Sequence, residues 1–250
     1  MIIYGRNVIR EALQAEIRLA RAYLLAAEGA SGDLRTLEEE LGRRNVPVEK
    51  LPRDRLDAVS HSKEHQGIAA KIPDFVYAET RAVLDRLDHP PFVIILDRIQ
   101  DPHNLGAIIR TAYGAGADLI ILPAHDGCLV TPAVLKTSAG FAFRMPVAVE
   151  TNLSRAIEAL KERGVWVYGA AVDGESCFAR DFSGPTALVF GNEGEGIRRL
   201  VLEKCDFRVA IPMAREMDSL NVSVSAAVIA FRVTESRRAG LVADKQAENK

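Results

Sequence analysis

Long apolar runs are absent from this chain of 250 residues, and cysteines are few. No apolar run approaches the ~20 residues that a transmembrane helix requires, which excludes a helical membrane protein. A signal peptide is not expected either, because Arg6 and Arg10 interrupt the first apolar stretch too early. Cys128, Cys177 and Cys205 are far apart and odd in number, which argues against a disulfide framework or a zinc site. The sequence therefore predicts reduced, cytoplasmic thiols.

Neither histidine nor net charge indicates a ligand. Only His61 and His65 share an i, i+4 spacing, and without further cysteine or histidine nearby a polar loop is favoured over a metal site. The net charge of −2 and the pI near 6.2 do not demand a nucleic-acid partner. Residues 1–72 carry 12 basic and 11 acidic side chains, a net of +1, which neither supports nor excludes RNA.

The hydrophobic pattern divides the chain into two parts. With 48% hydrophobic and 26% charged residues, its composition is that of a soluble globular protein, and its length fits one large domain or two smaller ones. Residues 1–72 are predicted to form a small α/β module, followed by a linker over 73–91 with one short helix at 80–87. The last residues, 239–250, are polar and are predicted to be a flexible tail. In the module, we predict helices at 6–15, 33–44 and 52–59 and strands at 22–27, 46–51 and 66–72.

From residue 92 onward, apolar runs alternate with helical patterns. Continuous apolar runs of this kind are typical of parallel strands buried on both faces. The pattern predicts a layered α/β domain over 92–238, with its sites at the carboxyl ends of the strands. The predicted strands are 92–96, 119–122, 165–171, 187–190 and 207–211, and the predicted helices are 105–115, 132–138, 153–163, 198–203 and 222–238.

The first loop of this domain, residues 97–106, leads into an apolar helix. Asn104 is a plausible cap for that helix, and Gly106 permits close backbone approach. Arg110 lies six residues past Asn104, less than two turns along the helix, so it can project towards the same loop. An arginine inside an apolar helix is costly unless it meets an anion or a polar partner. The alternative is an arginine that extends to the surface.

Two further loops carry polar and small residues. Residues 191–196, Gly-Asn-Glu-Gly-Glu-Gly, suit either close approach to a ligand or a tight turn. Their spacing is not the dinucleotide fingerprint, and no Lys-Ser/Thr follows as in a phosphate-binding loop, which argues against a nicotinamide-dependent oxidoreductase. The third loop, residues 211–221, places Ser219 and Asn221 before a helix rich in small residues, where either can act as a cap or as a substrate contact.

Together the three loops resemble the three motifs of the SpoU family of tRNA/rRNA 2′-O-ribose methyltransferases, over residues 92 to about 237. Residues 1–72 resemble the substrate-binding extension of the family's 23S ribosomal RNA guanosine-2′-O-methyltransferase members. Tyr4-Gly-Arg-Asn-Val-Ile-Arg-Glu-Ala-Leu13 and His65-Gln-Gly-Ile68 carry that second resemblance. The resemblance implies an α/β fold: a trefoil-knotted domain of the SPOUT class with a smaller amino-terminal α/β RNA-binding domain. No hydrophobic pattern reveals a knot, and knots are rare.

The resemblance also implies a cofactor and a set of site residues. S-adenosylmethionine is expected to bind the second and third loops, where Gly191, Ile211 and Leu220 hold the adenine and ribose largely through backbone groups. The polar family positions around the transfer site are matched here by Asn104, Arg110, Glu193, Ser219 and Asn221. Arg110 is the family's proposed activator of the ribose hydroxyl. Because arginine stays protonated, our hypothesis is that it binds the adjacent phosphate and polarises the 2′-oxygen.

RNA and a second copy of the chain are the partners that the resemblance implies. A homodimer is expected, with the last helix as a candidate interface. Arg6, Arg10, Arg18 and Arg21 are candidate phosphate contacts, although a solvated helical face explains each of them equally well. Residues 141–146, Phe-Ala-Phe-Arg-Met-Pro, depart from the family, which usually carries a glutamate shortly before the proline.

The leading hypothesis is 2′-O-methylation of a guanosine in 23S ribosomal RNA. A transfer RNA substrate is the alternative within the same chemistry. A non-catalytic RNA-binding or ribosome assembly factor is the alternative from another class. The set formed by Asn104, Arg110, Glu193 and Ser219 argues against that last alternative, since binding alone does not need it.

Overall fold

The computed structural model describes residues 1–26, 32–215, 217 and 219–248, with side chains of the last helix described as far as residue 239. In the first part of the chain the elements are β1 (Ile2–Tyr4), α1 (Arg6–Gln14), β2 (Arg21–Leu25), α2 (Gly32–Arg43), β3 (Val48–Leu51), α3 (Arg53–Ser60), β4 (Ile68–Lys71) and α4 (Thr80–Leu84). They continue with β5 (Phe92–Asp97), α5 (Pro102–Gly114), β6 (Leu119–Pro123), α6 (Pro132–Thr137), a 3-10 turn (Phe141–Phe143), β7 (Val147–Glu150), α7 (Leu153–Lys161), β8 (Trp166–Ser176), β9 (Thr186–Gly191), α8 (Arg199–Leu202), β10 (Phe207–Ala210) and α9 (Val222–Glu248).

These elements form two compact units, which we call the first and the second unit. The first unit comprises Met1–Val76 and Val130–Arg144, and the second comprises Tyr77–Leu129 and Met145–Lys250. The predicted boundaries at 1–72, 73–91 and 92–238 did not anticipate that residues 130–144 group with the amino-terminal part. No helix of the described residues is long and apolar enough to cross a membrane.

The first unit has a four-stranded sheet in the order β1-β4-β2-β3. β2 and β3 are parallel, whereas β4 is antiparallel to both β1 and β2. On α1, Val8, Ile9, Ala12 and Leu13 are buried, the apolar face that the spacing predicts. The sequence did not reveal β1, because three residues are too few for a periodicity to appear.

His65 lies in the loop between α3 and β4, as predicted, but it is buried in the first unit, with 2% of its surface exposed. Its Nδ1 accepts a hydrogen bond from the Gly67 backbone N–H at 2.9 Å, and its Nε2 lies 2.8 Å from Asp57 Oδ1. An Nδ1 that accepts leaves Nε2 to donate, so the ring joins α3 to the start of β4.

Residues 130–144 pack within the first unit through contacts in their middle and at their carboxyl end. Arg144 Nε lies 2.8 Å from Glu11 Oε2, and another guanidinium nitrogen donates to Gln14 Oε1 at 2.7 Å. Lys136 Nζ donates to the Glu64 carbonyl at 3.0 Å. Gly140, at φ 90°, lies so close to Glu11 that a side chain would collide with it. The segment that departs from the family pattern is therefore fitted to α1.

The second unit is built on a six-stranded sheet in the order β10-β8-β9-β5-β6-β7, and every pairing in it is parallel. All six residues of β5 are buried, which confirms the prediction of parallel strands covered on both faces. On one face, Val93 and Ile95 belong to the same core as Ile157 of α7. On the other face, the guanidinium of Arg237 on α9 lies 5.5 Å from the ring centre of Phe92.

The largest differences from the predictions in the second unit concern β8, β7 and α9. β8 runs on to Ser176 instead of ending at 171, and β7 was not predicted. The helix α9 continues to Glu248, so the predicted tail at 239–250 is helical over most of its length. A polar composition at a chain end therefore did not stop the helix at residue 238.

The three cysteines are unpaired. Burial raises the pKa of Cys205 to about 12, and burial also raises the pKa values of Cys128 and Cys177. Thiols of raised pKa are weak nucleophiles. In the part of the chain that the structure describes, no group of three or more His, Cys, Asp or Glu side chains could hold a metal ion.

Candidate active site

The three loops predicted to carry the chemistry follow β5, β9 and β10 of the second unit. β5 and β9 are neighbours, and Asp97 at the end of β5 pairs in register with Gly191 at the end of β9. β10 lies at the edge of the sheet, yet the loop that follows it reaches back to the first loop. The carboxyl ends of parallel strands thus bring the three loops together, as expected for this class of fold.

A chain of polar side chains links the three loops. Asn104 donates from Nδ2 to Glu193 Oε1, and its Oδ1 accepts from Asn221 Nδ2 at 3.1 Å. Asn221 Oδ1 in turn accepts from both the backbone N–H and the hydroxyl of Ser223, at 2.9 and 2.6 Å. Both functions of the Asn104 amide are used, so its orientation is fixed. Three of the five predicted polar positions are therefore in direct contact.

The helix caps explain how these side chains become available. Asp101, and not Asn104 as predicted, caps α5, because Asp101 Oδ1 accepts from the His103 backbone N–H at 2.9 Å. Asn104 lies inside the first turn, and its amide is free to join the other loops. Asn221 caps α9 through Ser223 and also contacts Asn104, so the two roles that the sequence left open are combined in one residue.

Arg110 is exposed on α5. Within the described residues it makes no hydrogen bond or ion pair, so in the chain without RNA its side chain extends to the surface. The argument from the cost of burying its charge was wrong, because the helix turns this position away from the core. Its guanidinium retains donors for an anion, and its role in the reaction remains a prediction.

A cavity of about 920 Å³ lies beside the polar chain. Five of the predicted positions line it: Gly191, Glu193, Ile211, Ser219 and Leu220. Ser219 has no hydrogen-bond partner among the described residues. The volume is within the range of small-molecule and cofactor sites.

The wall formed by the end of β8 was missed from the sequence. Residues 170–174 line the same cavity, but the strand was predicted to end at 171. The available signal was Gly174, where any side chain would collide with the backbone of Val209 on β10. A glycine at that point permits β8 and β10 to stay in contact up to the cavity.

The glycines of the second loop are explained by the turn itself. A side chain at Gly191 would collide with the backbone of Gly196 and Ile197, and Gly196 has a φ of 67°. The backbone groups of Asn192 and Gly196 bond to each other in both directions, at 2.8 and 3.2 Å. The tight turn alone accounts for Gly191 and Gly196, and because Gly191 also lines the cavity, its contact with the cofactor stays a prediction.

The third loop carries the features that fit a nucleoside-type cofactor. Among the described residues, the backbone groups of 212–215, 219 and 220 have no hydrogen-bond partner. Half-buried Ile211 and Leu220 supply apolar walls. Apolar walls with a few backbone donors and acceptors are what a flat base with polar edges requires, and S-adenosylmethionine contains such a base.

Three of the four arginines predicted to contact phosphate are already paired within the first unit. Arg6 and Arg10 both approach Asp33, at 3.6 and 3.9 Å, and Arg21 contacts Glu49 at 2.8 Å. Arg18 is exposed and has no ion pair among the described residues. All four remain predictions as phosphate contacts. Arg18 is the one that would bind a phosphate without first breaking an ion pair among the described residues.

Comparison with known proteins identifies families and relatives that this chain resembles. Residues 91–231 match the SpoU rRNA Methylase family, and residues 2–78 match the family described as RNA 2′-O ribose methyltransferase substrate binding. The chain is 38% identical to the 23S rRNA (guanosine-2′-O-)-methyltransferase RlmB of Pseudomonas putida, over 94% of this chain and 96% of that protein. It is 36% identical to the putative TrmH family tRNA/rRNA methyltransferase YacO of Bacillus subtilis, over 94% and 95%.

A solved structure gives the same result for the fold. The SpoU methyltransferase AviRb from Streptomyces viridochromogenes, crystallised in complex with the cofactor AdoMet, superimposes with a TM-score of 0.81 at 22% identity, over 96% of this chain and 91% of that one. The likeness confirms the α/β architecture with an additional amino-terminal domain. Matched over more than half of its length, the chain belongs to the SpoU rRNA methylase family.

Proposed function

We propose that this protein transfers the methyl group of S-adenosylmethionine to the 2′-hydroxyl of a guanosine in 23S ribosomal RNA. The observation that carries the proposal is the contact of Asn104 with both Glu193 and Asn221, beside a cavity of cofactor size. Membership of the SpoU family supports the reaction. The name of the Pseudomonas putida relative supports the nucleotide and the RNA.

The third loop and the end of β8 are proposed to hold the cofactor. Ile211 and Leu220 form apolar walls around the space for the base, and backbone groups of the third loop bind its polar edge. When bound, S-adenosylmethionine supplies an activated methyl group on a sulfonium. The protein must then align the ribose hydroxyl with that group, and alignment of two reactants can lower a barrier by several kcal/mol.

Arg110 and Asn104 are proposed to act on the RNA. Arg110, with its donors unoccupied, binds the phosphate next to the target ribose and polarises the 2′-oxygen. Asn104, held on one side by Glu193 and on the other by Asn221, positions the ribose. Because the amide nitrogen and the amide oxygen of Asn104 are both held before the substrate arrives, the site loses little orientational freedom on binding.

We further propose that the protein is a homodimer and that the helices α5 and α9 form its interface. Val224 and Phe231 lie seven residues apart on α9 and are 47% and 51% exposed, and Tyr113 of α5 is 37% exposed. A side chain at Gly114 of α5 would lie 3.8 Å from the Phe231 ring, so α5 and α9 lie close together beside this exposed ring. Arg110 lies one turn from Tyr113, and a second copy on this surface is therefore adjacent to the site.

Phe231→Glu tests the dimer. We expect it to sediment as a monomer, because it places a charge in the apolar surface, whereas Leu200→Glu, at an exposed leucine of α8, is expected to sediment as a dimer. A dimeric Phe231→Glu protein would contradict this interface.

The trefoil knot and the cytoplasmic location are also part of the proposal. After β10, at the edge of the sheet, the chain returns to the middle of the unit, where α9 packs on α5 and β9. Such a return is what a knotted carboxyl end requires. Unpaired thiols of raised pKa are consistent with a reducing compartment.

The decisive experiment is methyl transfer from radiolabelled S-adenosylmethionine to total RNA from cells that lack this enzyme. We expect the label in large-subunit RNA, as 2′-O-methylguanosine. Label in transfer RNA would retain the chemistry and overturn the substrate. No label, with cofactor and RNA both bound, would favour the assembly factor.

A further inference from the structure

We infer that Asp97 is a positioning residue for the proposed methyl transfer, acting through Arg198 to hold the glycine-rich loop 191–196 in its working position. The inference rests on the proposed function. Neither Asp97 nor Arg198 is among the site residues predicted from the three loops. The two residues belong to different loops, and they meet in the second unit.

Asp97 is a charged residue with no exposed surface, at the end of the central strand β5. Its Oδ2 accepts from the Arg198 backbone N–H at 2.7 Å, and its Oδ1 accepts from Arg198 Nε at 2.8 Å. A buried carboxylate is costly unless hydrogen-bonded donors surround it. Here both oxygens are satisfied by one residue, the one that ends the loop after β9.

The next residue, Arg98, holds the same loop at two further points. Its carbonyl accepts from Asn192 Nδ2 at 3.2 Å, and its guanidinium contacts Glu195 Oε2 at 2.7 Å. Arg98 has a φ of 61°, a conformation that residues other than glycine adopt only when surrounding contacts enforce it. Arg98 thus holds the loop at Asn192 and Glu195, and Asp97 holds the chain just after the loop, at Arg198.

This loop carries Glu193, which contacts Asn104, and it lines the cofactor cavity. Because Asn192 and Gly196 bond to each other, the loop is closed and would shift as a body if its attachment loosened. Displacement of this closed loop would have two effects at once: it would move Glu193 away from Asn104, and it would change the wall of the cavity. Asp97 would then affect cofactor binding and turnover without touching either reactant.

Asp97→Asn separates this role from general stability. The replacement keeps the shape, but its amide has one acceptor oxygen, whereas Arg198 presents two donors, so one bond is lost and two donors face each other. We expect kcat to fall by about 10- to 100-fold and the Kd for S-adenosylmethionine to rise, while the KM for RNA stays unchanged. Asp85→Asn is the matched control, since Asp85 pairs with Arg163 in the same unit but outside the loop.

Arg198→Lys is the second variant, because it removes Nε but leaves the backbone N–H on Asp97. It should show a milder form of the same pattern, and the double variant should be no worse than Asp97→Asn alone, since both changes remove one interaction. Activities are compared per folded molecule, from the fraction folded by circular dichroism. Wild-type activity per folded molecule in both variants would overturn the inference. An inactive wild-type protein would instead overturn the proposed function. The Kd for S-adenosylmethionine would then test the role of Asp97 by itself, and unchanged Kd values in the two variants would refute that role.

Discussion

The side-chain amide of Asn104 joins the three loops through two hydrogen bonds, one in which it donates and one in which it accepts. It donates to Glu193 and accepts from Asn221. Asn104→Asp keeps the acceptor and removes the donor, and it also places two carboxylates side by side. We expect methyl transfer to fall by on the order of 100-fold, measured as kcat with saturating RNA.

The combination of Asn104→Asp with Glu193→Gln tests why that activity is lost. The glutamine can donate to the new carboxylate, so the bond is restored with its direction reversed. Partial recovery of kcat in the double variant would assign Glu193 a positioning role. Full activity of Asn104→Asp alone would contradict the importance of the contact.

Arg110 is the predicted site residue whose role depends most on the bound RNA. Arg110→Lys retains the charge but loses the planar fork that can contact a phosphate and a 2′-oxygen together. We expect kcat to fall by about 100-fold or more, with unchanged affinity for S-adenosylmethionine by calorimetry. Arg155→Lys, at another exposed helical arginine of the second unit, is the control. An Arg110→Lys enzyme with full activity at saturating RNA would refute the assignment.

Two helices of the second unit begin with an asparagine cap, and only one of the two lies at the site. Asn221 caps α9, and Asn152 caps α7 by accepting from the Arg155 backbone N–H at 3.1 Å. Replacing either by alanine should lower the free energy of unfolding by about 1 kcal/mol, measured by urea denaturation with the fluorescence of Trp166, the one tryptophan. Only Asn221→Ala should also lower methyl transfer. Equal activities would mean that Asn221 serves as a cap alone.

How far the elements could be predicted depended on the range of the interactions that form them. β5 and β9 were predicted because their apolar runs are local signals. β7, with two of its four residues buried, gave a weak pattern. The cap of α5 was assigned to the wrong residue because Asp101 and Asn104 are both good caps, and only the backbone decides between them.

The polar residues were found through the resemblance, but their arrangement was not predictable from sequence. Asn104 and Asn221 are 117 residues apart, and Asp97 and Arg198 are 101 apart. No local pattern encodes which distant side chain satisfies a given amide or carboxylate. The exposed position of Arg110 was misjudged for the same reason, since neighbours in sequence do not show which face of a helix is covered.

In the whole molecule, the chain passes between the two units three times, after Val76, Leu129 and Arg144. Segment 130–144 lies in sequence between β6 and β7, so periodicity assigned it to the second unit. Its packing on α1 includes Arg144, which contacts Glu11 and Gln14, and Gly140, which lies against Glu11. The first unit is therefore not a contiguous domain that ends near residue 72.

Arg144→Ala tests whether the first unit requires this segment. Glu11 is 16% exposed, and Arg144 Nε is its ion-pair partner at 2.8 Å. Removing the arginine leaves a largely buried carboxylate without its counter-charge, and we expect α1 to lose about 1–3 kcal/mol of local stability. Amide hydrogen exchange along α1 measures the loss directly, because local opening free energies differ between elements. Arg21→Ala, which breaks an ion pair with both side chains about half exposed, should cost less than about 1 kcal/mol. Unchanged exchange of α1 in Arg144→Ala would mean that residues 1–76 hold α1 without help from 130–144.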